Sequence, residues 1–165
     1  MPMQTITLEN TTIVFDREKS LNYKTENNSP CSCQDCRNYY ENIKNNPELI
    51  SFLSGLGVDY NRPEGVFSYD IGEDADSPIH STAYYGVFGK IEGDEVNFQK
   101  FGVNISFEKG ASVPNDREDE SFWVAVEGDF PYVLEEEKEA SIILPQLSPL
   151  QRMIARIKSF FGDEQ

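Results

Sequence analysis

Between Gly65 and Tyr132 the apolar residues recur at every second position, and the connections between the runs are too short for helical crossovers. Phe67, Tyr69 and Ile71 alternate along the chain, and so do Tyr85, Val87, Gly89 and Ile91. Phe101, Val103, Ile105 and Phe107 form the longest series, followed by Phe122, Val124 and Val126. Gly93-Asp94 has the composition of a hairpin turn between two of these runs. An earlier hairpin is expected over residues 4–16, where Ile6, Leu8, Ile13 and Phe15 flank the turn Glu9-Asn10-Thr11. A chain patterned this way is restricted to an antiparallel sheet, here of about six strands. Helical segments at both ends make the fold class α+β.

The stretch from Lys19 to Pro30 is polar and rich in Asn, Ser and Lys, and reads as a loop. Two short helices follow it. The first spans Gln34 to Lys44, with Tyr39, Tyr40 and Ile43 on one side. The second opens with Asn46 as a cap, Pro47 in the first turn and Glu48 at the positive helix end. Leu49, Ile50, Phe52, Leu53 and Leu56 give its apolar face, and Gly57 suits a left-handed stop. Near the C-terminus, Ser148 and Pro149 open a third helical pattern. Leu150, Met153, Ile154, Ile157, Phe160 and Phe161 form its stripe. The expected division is a core domain over residues 1–147, with its cysteine turn at 31–36, and an amphipathic helix over 148–165. That helix is expected to dock on the core or on a second copy in a homodimer, because its apolar face is too large to stand in water.

Charge narrows the function. The 165 residues hold 29 Asp and Glu against 14 Lys and Arg, a formal charge of −15. Nucleic-acid binding needs a basic face and is not expected. No apolar run reaches the roughly 18 residues of a membrane span. Residues Met1 to Asn10 lack a basic start followed by an apolar run, so a soluble, cytoplasmic chain with reduced thiols is expected. A basic protein partner would complement the charge, although charge alone equally serves solubility. Asp70, Glu73, Asp74 and Asp76 lack the spacing of a calcium loop and read as a solvated acidic loop.

All three cysteines lie within six residues, as Cys31-Ser32-Cys33-Gln34-Asp35-Cys36. A turn that short brings sulfurs to one ion, and thiolates are good ligands for zinc or an iron–sulfur cluster. A closed zinc site takes four ligands. His80 is the sole histidine and stands in what reads as a loop before a strand. It becomes the fourth ligand if that loop folds over the turn; Asp35 or a water are the other choices. Two further readings stand beside the metal site Cys31, Cys33, Cys36 and His80. The thiols can be reduced and structural, with Cys36 beneath the first helix, or they can be redox groups near a helix N-terminus.

The run Cys31 to Tyr39 resembles the opening signature of a small bacterial family of uncharacterised proteins, C-x-C-x-x-C-x-N followed by an aromatic residue. Phe52 to Asp59 with Arg62 to Val66, Tyr84 to Ile91, and Phe130 to Glu135 are similar to that family's second helix, central strand and last core strand. The resemblance spans about residues 31–135 and implies no activity. No G-x-S-x-G, G-x-x-x-x-G-K-[ST] or H-E-x-x-H pattern is present. The favoured reading is a non-enzymatic, acidic binding module with a structural zinc at the cysteine turn. The alternative is a small metal- or thiol-dependent enzyme using Cys31, Cys33 and Cys36.

Overall fold

A computed structural model describes residues 3–27, 30–74, 76–110 and 120–138. The order is β1 (Gln4–Leu8), β2 (Thr11–Phe15), α1 (Arg17–Asn27), α2 (Gln34–Lys44), α3 (Pro47–Gly55), β3 (Gly65–Asp70), β4 (Ile79–Glu92), β5 (Val96–Lys100), β6 (Val103–Glu108) and β7 (Ser121–Phe130). Among the described residues the architecture is an antiparallel sheet of seven strands with three helices, one strand more than expected. The C-terminal helix expected over 148–165 lies outside the described residues.

The 14-residue β4 is the spine of the sheet. Along one edge it pairs with β7, from Ile79↔Phe130 to Phe88↔Ser121. Beyond β7 the ladder continues through β6 to β5. The other edge is shared. β3 pairs with Ile79 to Tyr84, and β2, itself paired with β1, takes Gly89 to Glu92.

Between those two partners β4 has an open ladder, and other groups fill it. The Glu64 carboxylate accepts from the Gly86 amide at 2.6 Å, while the Glu64 amide donates to the Tyr84 carbonyl. Ser20 Oγ accepts from the Phe88 amide at 2.9 Å, and the Asp16 amide donates to the Phe88 carbonyl. Buried backbone groups are thereby satisfied without a strand. At Gly89, where β2 takes over, φ is +149° and an added Cβ would lie 2.1 Å from the Val14 carbonyl oxygen, so no side chain fits.

One face of the sheet carries the core. Tyr85 and Val87 of β4, Ile105 and Phe107 of β6, and Phe122, Val124 and Val126 of β7 are buried there with Ile13 and Phe15. Tyr39 and Ile43 of α2 and Leu49 and Leu53 of α3 join the same cluster. Helix α3 begins as its sequence dictates: Asn46 Oδ1 accepts from the Leu49 amide, and Pro47 occupies the first turn. Its chain turns away at Gly57, with φ +84°.

Four expectations are corrected. The stretch from Lys19 to Pro30 is not a loop throughout, because α1 runs from Arg17 to Asn27. Its polar sequence offers little apolar stripe; caps and tertiary bonds hold it instead. Asp16 Oδ1 accepts from the Lys19 amide, and Arg17 Nε donates to the Ser54 carbonyl at 2.9 Å. Phe101 is not a strand residue. With Gly102 it forms the turn between β5 and β6, both at positive φ, so the expected run loses its first residue and begins at Val103. His80 is not in a loop but is the second residue of β4, paired with Tyr69 and Asp129. The last core strand ends at Phe130, and residues 131–135 leave the sheet to run along α2.

Candidate metal centre

The three cysteines meet where the chain enters α2. Cys33 is the N-cap residue, in extended conformation, and Cys36 lies in the first turn. Cys31 precedes them on the incoming strand of chain, and the Cys33 amide donates to its sulfur at 3.5 Å. The three Sγ atoms all lie within 4.8 Å of one another. Sulfurs bound to one zinc at about 2.3 Å stand about 3.8 Å apart, so small rotamer adjustments close the set on an ion. Among the described residues this is the group of His, Cys, Asp and Glu side chains close enough to share a metal.

The sulfurs differ in environment. Cys31 and Cys33 are exposed and Cys36 is buried; all three are free thiols. The Cys33 amide holds the Cys31 thiol below its usual ionisation range, chiefly through that backbone hydrogen bond. Burial pushes the Cys36 thiol well up, and its two neighbouring cysteines push it further. Helix α2 opposes this with the partial positive charge of its N-terminus.

The turn is pinned from outside as well. Arg37 Nε donates to the Ser32 carbonyl at 2.9 Å, and its guanidinium pairs with Glu136. Gln34 Nε2 donates to the Glu137 carbonyl. Asn38 grips the same return segment: Nδ2 donates to the Pro131 carbonyl at 3.1 Å and Oδ1 accepts from the Val133 amide at 2.8 Å. A shallow groove of about 410 Å³ lies between α2 and this segment, lined by Arg37, Tyr40, Glu41, Val133, Leu134 and Glu135. The hydroxyl of Tyr40 is buried, next to Cys36 and Cys31.

His80 stands apart from that set. Its Nδ1 lies 2.6 Å from Asp129 Oδ1 and its Nε2 lies 3.2 Å from Glu127 Oε2, while its ring stacks on Tyr69. Both ring nitrogens are thus engaged by carboxylates across the β4–β7 ladder, and rigid strand replaces the loop that would have carried the ring to the cysteines. Asp70, read as part of a solvated loop, is buried and ion-paired with Lys138 Nζ at 2.7 Å.

Arg37 and Tyr40 are legible in the sequence only as helix residues, and Asn38 only as the Asn of the C-x-C-x-x-C-x-N run. Of the three, Tyr40 alone has the four-residue spacing from Cys36 that puts two side chains on one face of a helix. Comparisons with protein-family models, curated proteins and solved structures find no match.

Proposed function

We propose that this protein is a non-enzymatic binding module whose cysteine turn holds a structural zinc ion through Cys31, Cys33 and Cys36. The observation that carries this reading is the convergence of three sulfurs within 4.8 Å on one turn, braced by Arg37, Gln34 and Asn38. All three donors are soft thiolates, which favour zinc over calcium or magnesium. His80 is held by Asp129 and Glu127, so the fourth position falls to Asp35 or a water. The metal would tie the entry of α2 to the chain before it and neutralise the charge of clustered thiolates.

Elemental analysis of the full chain, purified reduced and without added chelator, tests this. About one zinc per chain is expected. At hundredfold excess over Kd, zinc should add about 2.7 kcal/mol of stability, and chelator should reverse it. Cys33→Ser should abolish retention and the chelator effect together. Less than about 0.1 equivalent of metal, with melting indifferent to chelator, would sink the reading. The exposed, easily ionised Cys31 thiol would then favour thiol chemistry, with Cys31 labelled first by an alkylating reagent.

A further inference from the structure

One enclosed polar group at the cysteine turn makes no well-formed hydrogen bond. It is the hydroxyl oxygen of Tyr40, which lies one helical turn beyond Cys36 on α2. The groups around it are Cys36 and the backbone of Cys31. The other enclosed phenols of this region are satisfied. Tyr39 and Tyr85 share a hydrogen bond at 2.8 Å, and Tyr85 donates on to the Tyr60 carbonyl at 2.6 Å. Buried hydroxyls in folded proteins nearly always have a partner. What stands beside this one is a thiol, a weak acceptor while it keeps its proton and a strong one as a thiolate.

We propose that Tyr40 is a positioning residue of the metal centre, donating its hydroxyl proton in a hydrogen bond to the Cys36 sulfur once a metal ion has displaced the thiol proton. This rests on the metal reading above. The exchange balances simply. The S–H proton leaves to solvent, one sulfur lone pair bonds the ion, and another accepts from Tyr40; nothing is oxidised or reduced. Tyr40 keeps its own proton, as a phenol does near neutral pH. It therefore acts as a donor and not as a fourth ligand. Its bond would draw negative charge from the most buried sulfur, where water cannot, and fix that side chain's rotamer. Outer-shell donors of this kind commonly tune metal affinity by about tenfold or more.

Cobalt(II), bound by the full chain, is the probe, because its sulfur-to-metal charge-transfer band reports on the thiolates directly. Tyr40→Phe should weaken cobalt binding about tenfold and move the band to longer wavelength, since an unbonded thiolate gives up charge more easily. The metal-free variant should melt no lower than the parent, because the deleted oxygen made no well-formed hydrogen bond. Tyr39→Phe is the contrast: it breaks a buried bond, so it should lower melting and leave the band in place. If Tyr40→Phe binds cobalt with unchanged affinity and an unchanged band, the role of Tyr40 is overturned and the metal reading stands. If the parent chain shows no thiolate band at all, the metal reading fails and this role falls with it. Should Tyr40→Phe not fold, the parent chain labelled at tyrosine Cζ gives the same answer. Metal loading must shift the Tyr40 resonance, and no shift would overturn the proposal.

Discussion

Asn38 is 1% exposed and every hydrogen-bonding end of its amide that faces the return segment is used. The donor goes to a proline carbonyl and the acceptor takes an amide two residues on, so one side chain replaces the strand pairing that stops at Phe130. No other residue type of this size offers both functions from one planar group. Asn38→Ala should leave the Val133 amide unpaired, while Asn42 Nδ2 keeps its 3.0 Å bond to the Pro131 carbonyl, and cost about 1–3 kcal/mol, measured by urea unfolding. Asn38→Asp should cost at least as much, because it keeps the acceptor but loses the donor and buries a charge. A loss under 0.5 kcal/mol for the alanine variant would show that water replaces the bond to Val133. The sequence displays an Asn two residues after the last cysteine, but not its partners, which lie 93 and 95 positions away.

At the scale of elements, α1 and α3 make an instructive pair. Helix α3 announces itself through a cap, a first-turn proline and an apolar face, all local signals. Helix α1 has few apolar residues, and its purpose lies in the sheet. From its first turn, Ser20 inserts Oγ into the gap of the β4 edge, donating to the Asp16 carbonyl at 2.7 Å and accepting from the Phe88 amide. The helix therefore serves as a plug for an incomplete ladder, and an alternation count along its residues cannot reveal that. Ser20→Ala should leave the Phe88 amide buried without an acceptor and cost about 1–3 kcal/mol. Thermal melting would fall by about 2–4 °C for each kcal/mol in a chain of this size. Ser51→Ala, on the exposed side of α3, should stay within about 0.5 kcal/mol. Equal melting of the two variants would mean that the gap in β4 does not need Ser20.

The whole molecule carries −15 on 165 residues. Such a chain repels itself most when compact. Salt bridges relieve this locally, as Lys138 does for buried Asp70 and Arg37 for Glu136, yet the excess of acid remains. Raising ionic strength from about 10 mM to about 150 mM shortens the screening length to about 8 Å. Melting should then rise, by about 2–4 °C if roughly 1 kcal/mol of repulsion is relieved, and sodium chloride and potassium chloride should act alike. A melting temperature that falls with salt would place specific ion pairs above general repulsion.

From the sequence alone came the antiparallel sheet, the hairpin at the start, helices α2 and α3 with their limits, and the clustering of three cysteines. Each of these rests on contacts between near neighbours: period-two alternation, a cap three residues from its amide, sulfurs within six positions. The tertiary structure alone decided that α1 forms, that Phe101 turns, and that His80 sits in β4 between Asp129 and Glu127. Those outcomes depend on groups tens of residues apart competing for the same backbone and side-chain atoms, and a pattern of neighbours carries no record of that competition.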